Sequence, residues 1–269
     1  MMPDLINLIQ QWWKQMFAVV VLSLLVVGII TFLKPRQYLS VTTAVPASSF
    51  AADKSKIFSE NIQALYSALG SPDDLDMILG TANLDTVYLA ITDQFNLFDH
   101  YKISEKGEES RIKAASQLKR NTKVMKSEYG ELKVKVWDTD KNLAPQLANA
   151  IMDKLQSIHQ DLQSAGNAAT LKGLIQAKEK MNPQADSAFT PENAELHKKK
   201  NQEYDKMIGE YQLMVDSKPP VLIIVERAKP SEIPDRPRRM QIMVATAVLS
   251  LLFSVLAALV MERRKISVQ

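Results

Sequence analysis

The sequence predicts an α+β fold: a membrane-proximal α/β base, an elongated helical hairpin, and a transmembrane helix at each terminus. Three observations lead to it. Residues 17–33 and 240–261 hold no charged side chain, and at 1.5 Å per residue such runs cross a hydrocarbon core of about 30 Å. Short β-branched runs at 38–45 and 221–225 stand just inside those two stretches. Between them, residues 142–215 carry two long helical patterns separated by a polar loop with Pro183 and Pro191.

The first apolar run is flanked by Trp12 and Trp13 on one side and Lys34-Pro35-Arg36 on the other. Trp favours the headgroup zone and charge ends a span. A cleaved signal peptide has an apolar region of about 7–15 residues with a small-residue site close behind. This run is longer, and the nearest such site, Ala44-Val45-Pro46-Ala47, lies downstream in a predicted strand. The run therefore reads as an anchor, with residues 1–15 (Leu5, Leu8, Ile9, Trp12, Trp13) as a short amphipathic lead-in lying on or running into the bilayer. Two anchors put both tails on one side. Positive charge flanks the membrane on both faces: Lys14, Arg263, Arg264 and Lys265 on one, Lys34, Arg36, Arg236, Arg238 and Arg239 on the other. The positive-inside rule leaves the orientation open.

Removing two spans from 269 residues leaves one domain, residues 34–239. The net charge of +3 is spread out, and no basic run is interleaved with aromatics, so a nucleic-acid surface is not expected. The chain has no cysteine, which excludes disulfides and thiolate metal or redox centres.

In chain order, residues 38–45 read as a strand that leaves the membrane where 221–225 returns to it. Neighbouring ends of one domain often sit together, so the two are expected to share a sheet. Ile57, Phe58, Ile62, Leu65, Tyr66 and Leu69 recur at helical spacing. Ser71 looks like an N-cap with Pro72 at the first helical position and Asp73-Asp74 in the first turn of a short helix to Leu79. Residues 84–98 are a further helical candidate against which Val87, Tyr88, Ile91 and Thr92 weigh. Residues 111–126 are predicted as one basic helix. Glu131-Leu132-Lys133-Val134-Lys135-Val136-Trp137 alternates strictly, as a half-buried strand does, between Gly130 and an Asp138-Thr139-Asp140 turn.

From Asn142 to Met181 the apolar stripe Leu143, Leu147, Ala150, Ile151, Leu155, Ile158, Leu162 predicts the longest helix, which Gly166 and Gly173 weaken without breaking. Residues 182–193 are a loop. Residues 194–215 return as a polar helix with Leu196, Tyr204, Met207, Ile208 and Tyr211 on one side. The last connector, 228–237, holds Pro230, Pro234 and Pro237. Each proline fixes φ and lacks a donor, so the segment is neither helix nor central strand. It reads equally as a rigid mount for the domain or as a linker.

Two spans, a strand after the first and a proline-rich run into the second resemble the Wzz-type chain-length determinants, the polysaccharide co-polymerases. Three stretches carry the resemblance: Tyr38-Leu39-Ser40-Val41-Thr42-Thr43-Ala44-Val45; the strand, acidic turn and Ala/Asn helix within 118–155 that includes Asp138-Thr139-Asp140 and Leu147-Ala148-Asn149; and Glu226-Arg227-Ala228-Lys229-Pro230 through Pro237. The resemblance implies a protein of the bacterial inner membrane with both tails (1–16 and 262–269) cytoplasmic and the domain periplasmic. It also implies a ring-like homo-oligomer that sets the length of a lipid-linked polysaccharide (O-antigen, capsule or exopolysaccharide) with a Wzy-type polymerase as partner, and direct contact with the polymer stays open. The prolines here stand four and three apart, which only approximates the family's spacing. The helical projection is short for the family, so copy number and chain length are not carried over.

The residues themselves predict no enzyme, no cofactor and no metal. His100, His159 and His197 are far apart and expected to be solvated, and no HExxH, GxSxG or phosphate-cradling glycine loop occurs. Asp73, Asp74 and Asp76 suit the positive end of a helix dipole better than a metal cluster. Lys198-Lys199-Lys200 reads as a solvated face rather than a grip on an anionic polymer. With tails as short as 1–16 and 262–269, neither a fused kinase nor a cytoplasmic output module is expected. Ser250, Ser254 and Ala258 recur every fourth residue, with Ala247 and Ala257 nearby. Small residues at that spacing let helices approach closely, which makes contact with the first span, a second copy or a polymerase the functional expectation and chance the alternative. A periplasmic scaffold or sensor of an envelope machine is the reading from a different class. A membrane-anchored hydrolase is a third.

Overall fold

In the computed structural model, which describes residues 5–47, 72–103, 107–181 and 191–268, the order is α1 (Leu5–Leu33), β1 (Gln37–Pro46), α2 (Pro72–Ala82), α3 (Asp85–Phe95), α4 (Leu97–His100), α5 (Glu108–Arg120), β2 (Thr122–Lys126), β3 (Leu132–Asp138), α6 (Leu143–Met181), α7 (Pro191–Ser217), β4 (Leu222–Glu226), β5 (Pro234–Arg236) and α8 (Arg239–Val268). The chain divides into two units. One comprises Met1–Leu39, Asp138–Lys141 and Ser231–Gln269; the other comprises Ser40–Trp137 and Asn142–Pro230. The expected helix at 57–69, the Ser71 cap and most of the loop at 182–193 lie outside the described residues.

In the larger unit the strand order is β2-β3-β1-β4. The predicted partnership of the two juxtamembrane strands is present: β1 and β4 run antiparallel, with Ala44 opposite Ile224, Val45 opposite Ile223 and Pro46 opposite Leu222, after a register shift between Thr43 and Ala44. β2 and β3 form an antiparallel hairpin from Thr122 opposite Val136 to Lys126 opposite Leu132. Gly130 sits in its turn at φ 75°, a conformation open to glycine. Residues 122–126 were expected to prolong the preceding helix and do not. Asn121 ends α5, and Thr122-Lys123-Val124-Met125-Lys126 pairs instead as a strand at the border of the sheet, where lysines are at home.

The core of this unit takes Leu132, Val134 and Val136 from one face of β3, Ala44 from β1, Leu75 and Ile78 from α2, Val87, Tyr88 and Ile91 from α3, Ala114 and Leu118 from α5, and Leu147, Ile151, Met152 and Leu155 from α6. The residues that weighed against a helix at 84–98 are the buried face of α3, so tertiary burial overrides their modest propensity. Asn96, at φ 49°, breaks that stretch into α3 and α4. The 39 residues of α6 would measure about 58 Å. Its buried residues cluster in the first half, whereas Leu162 is 58% exposed; the apolar stripe outruns the core by a turn. Beyond that point α6 packs on α7, where Leu171 is buried and the Lys178 ammonium pairs with the Asp205 carboxylate.

In the smaller unit α1 and α8 pack side by side. Trp12 Nε1 donates to Glu262 Oε2 at 3.1 Å near one end, and the Arg239 guanidinium lies 4.5 Å over the Phe32 ring at the other. Early α1 meeting late α8, and late α1 meeting early α8, makes the pair antiparallel. Within them Gln10–Leu33 and Arg239–Glu262 are long and apolar enough to cross a membrane. Phe17, Leu22, Leu25 and Ile29 of α1 and Leu249, Phe253 and Leu256 of α8 all point outward. A water-facing helix pair would turn polar side chains outward, so this surface suits hydrocarbon. The amphipathic lead-in runs without a break into the first apolar stretch, because α1 is continuous from Leu5.

Candidate functional site: the connector between strand and second span

The connector leaving β4 is held residue by residue. In the larger unit, two hydroxyls of β1 reach across to it: Thr42 Oγ1 donates to the Glu226 carbonyl at 2.9 Å, and Ser40 Oγ donates to the Lys229 carbonyl at 3.0 Å. Both side chains are buried, where an unpaired hydroxyl is costly. From the opposite direction α6 supplies Asn149. Its Oδ1 accepts from the Ala228 N–H at 2.9 Å and its Nδ2 donates to the Ala228 carbonyl at 3.3 Å. The Arg227 guanidinium pairs with both oxygens of Asp153, one helical turn further along α6, at 3.1 and 3.4 Å. Pro230 follows directly.

In the smaller unit, Pro234 opens β5, which pairs with the first residues of β1: Tyr38 opposite Pro234 and Gln37 opposite Arg236. A proline that begins an outer strand withholds no ladder donor. Pro237 follows β5 and precedes α8, whose first turn includes an Ile242 N–H donating to the Arg238 carbonyl at 3.0 Å. The predicted acidic turn is present: Asp138 Oδ1 accepts from the Asp140 N–H at 2.9 Å, an Asx-type closure. Beside it Lys141 Nζ contacts both oxygens of Glu232 at 2.9 and 3.0 Å. That carboxylate's hydrogen bond and charge hold the Lys141 ammonium above the usual lysine range. Of the three prolines singled out, Pro234 and Pro237 thus belong to structured backbone beside the spans, and Pro230 to the end of the clamped segment.

Ser250, Ser254 and Ala258 are buried on α8. The two hydroxyls turn back along their own helix, Ser250 onto the Ala247 carbonyl at 3.1 Å and Ser254 onto Leu251 at 2.7 Å, so no donor is left facing a neighbour or lipid. Ser254, Ala257 and Ala258 line a narrow gap shared with Trp12, Met16 and Val19 of α1.

His159 departs from expectation. It is 3% exposed, on α6, with Nε2 2.9 Å from the Thr81 hydroxyl of α2. Thr81 itself donates to the Met77 carbonyl at 3.1 Å, which leaves its oxygen to accept from the imidazole. The polar residues around His159 in sequence are on the other faces of α6, so a local reading of composition placed it in water. His100 and His197 are half-buried, and Lys198, Lys199 and Lys200 are exposed, with Lys199 3.6 Å from Glu195. Among the described residues no group of three or more His, Asp or Glu is placed to hold a metal. Asn149 falls within the Leu147-Ala148-Asn149 stretch, but nothing in the sequence alone marks it as a site residue. Its signal, an amide two positions beyond a buried leucine in a helix, is visible only once Ala228 is known to lie beside it.

No family model matches the chain, and no curated protein matches it. The chain is similar to a solved structure described as a full-length bacterial polysaccharide co-polymerase. The similarity covers 97% of this chain and 98% of that one, at 12% identity and a TM-score of 0.41.

Proposed function

We propose that the chain is an oligomeric, non-catalytic regulator of the length of a lipid-linked surface polysaccharide. In this reading it sits in the inner membrane with both tails cytoplasmic and its larger unit periplasmic, beside a Wzy-type polymerase. Several copies assemble around or against the polymerase and alter how long the growing polymer stays engaged. The observation that carries the reading is the double partnership of β1. The strand leaving one apolar helix pairs with β4 and with β5, the two strands that lead into the other. Both apolar helices thereby adjoin strands that pair with each other, and two of the stretches that resemble the polysaccharide co-polymerases, 38–45 and 226–237, supply residues of β1 and all of β5. Such a device suits a protein that transmits position rather than performing chemistry.

The test is a gel of surface polysaccharide from cells with and without the gene. The expected result is loss of the modal chain-length band and its return on complementation. An unchanged ladder for every polymer the cell makes rejects the regulator reading and leaves a periplasmic scaffold in its place.

A further inference from the structure

At the head of α8 the smaller unit contains a cleft of about 480 Å3. Arg36, just before β1, Arg236 from β5, and Arg238 and Arg239 at the start of α8 all line it, with Asp235 as the one carboxylate in its wall. Asp235 Oδ1 is 3.1 Å from Arg238 Nη2. Among the described residues no carboxylate pairs with Arg36 or Arg239, and Arg239 lies over the Phe32 ring. That cation–π contact engages the charge and leaves the N–H donors for a ligand. The first turn of α8 adds the positive end of a helix dipole. Beyond the arginines the wall becomes apolar at the exposed Met240, and Phe32 and Leu33 of α1 are exposed as well. A surplus of cations next to apolar surface, where one membrane-length helix ends and the other begins, matches a ligand that is anionic at one end and hydrocarbon at the other.

We propose that this cleft holds the phosphate of an anionic lipid headgroup, with Arg36 and Arg239 as its main donors. Guanidinium forks match phosphate oxygens bidentately, and a desolvated phosphate beside Met240 places the acyl chains along α1 and α8. Arginines that merely anchor helices at an interface need no convergence on a cleft, and removing them costs no more of the anionic-lipid preference than an equal charge change at the other end of α8 or than replacement by lysine.

The proposal rests on α1 and α8 lying in a bilayer, which fractionation of the full chain with membranes checks separately. The full chain is purified in a zwitterionic detergent and titrated with phosphatidylglycerol, phosphatidylcholine and inorganic phosphate, with bound lipid read by native mass spectrometry. Phosphatidylglycerol should bind at least about tenfold more tightly than phosphatidylcholine, and Arg36→Gln with Arg239→Gln should remove about that factor. Arg263→Gln with Arg264→Gln, the same charge change at the far end of α8, should leave it intact. Arg36→Lys with Arg239→Lys keeps charge without the fork and should lose part of the preference, and it stands in if the glutamine variant loses its helical circular dichroism. Equal losses at the two ends of α8, or a wild type indifferent to headgroup, overturn the cleft. Displacement of the lipid by millimolar inorganic phosphate assigns the site to a free anion and overturns the lipid occupant. A chain that fractionates with membranes but fails these arms refutes the cleft alone; one that does not fractionate with membranes refutes the bilayer reading.

Discussion

Asn149 and Ala228, seventy-nine residues apart, are joined by a pair of hydrogen bonds in which a side-chain amide takes the place of a neighbouring strand: Ala228 N–H to Asn149 Oδ1 at 2.9 Å, and Asn149 Nδ2 to the Ala228 carbonyl at 3.3 Å. The connector has left β4 at this point and has no ladder partner on that side. A primary amide presents an N–H donor and a carbonyl acceptor side by side in one plane, which matches the N–H and carbonyl of one backbone residue, and Gln is longer by a methylene.

Asn149→Ala should therefore destabilise the protein by about 1–3 kcal/mol, because Ala228 is 8% exposed and its N–H is left without an acceptor. Asn149→Asp keeps the acceptor and turns a second oxygen toward the Ala228 carbonyl. Its loss should shrink as pH falls and the carboxyl gains a proton to donate. Denaturant unfolding of both variants at two pH values checks this. Equal stability of wild type and Asn149→Ala would show that water replaces the amide without cost.

The boundary between core and projection along α6 gives a second expectation. Leu155 is fully buried and Leu162 is exposed, although both belong to one apolar stripe. Leu155→Ala should cost about 2–5 kcal/mol through lost burial and a cavity. Leu162→Ala should stay within about 0.5 kcal/mol. A large loss at Leu162 in the full-length protein, absent from a dilute monomer, would instead place that leucine in a contact between copies.

Where the sequence was legible, the signal was periodic and local. The alternation of 131–137, the two uncharged runs and the long stripe of α6 each state their own period, and β1 with β4 followed from chain geometry. What failed depended on partners far away in sequence. Thr122-Lys123-Val124-Met125-Lys126 carries lysines that suit a helix, and only β3 opposite makes it a strand. His159 has polar neighbours along the chain but α2 beside it in space. Asn149 has no meaning as a site residue without Ala228. Leu162 continues a stripe that the core has already stopped using. The connector's prolines announced that it was irregular but not that β1, α6 and β5 interactions hold it.

Tyr88 provides a pH test. Its phenol is buried and donates to the Ala82 carbonyl at 2.9 Å. Burial first, and the nearby Asp85 carboxylate second, push its pKa up to about 12, against about 10 in an unfolded chain. A raised value means the folded state holds the proton more tightly. The associated stability is fully present below about pH 10 and is lost as pH rises through about 12. Phenolate absorbance of the folded protein should contain a late-titrating component from Tyr88, and Tyr88→Phe should remove it. The same variant should cost about 1 kcal/mol near neutrality through the donor lost to Ala82. A late component that persists in Tyr88→Phe would belong to another tyrosine.

The helix pair carries the last expectation. Ser254 is buried on α8, beside the gap lined by Met16 and Val19 of α1, and its hydroxyl is already bonded within its own helix. Ser254→Ala removes only that local bond and should be close to neutral. Ser254→Leu adds a side chain where small residues allow close approach, so it should pry α8 from α1 at a cost of about 1–3 kcal/mol of packing. Leu249→Ala, on the outward apolar face, trims a side chain that meets no helix in this pair and should leave the pair unchanged. Because the chain has no native cysteine, introduced pairs at Gly28 and Met243, which stand in contact range across the two helices, can report on the packing by cross-linking in membranes. Cross-linking should survive Ser254→Ala and Leu249→Ala and fall with Ser254→Leu. If the proposed role in polymer length runs through this pair, the modal length should shift in the leucine variant alone, together with any Pro237→Ala effect on how β5 enters α8. A leucine variant that cross-links like the wild type would show that the stripe does not set the helix spacing, and a normal modal length in a variant with impaired cross-linking would separate helix packing from polymer control.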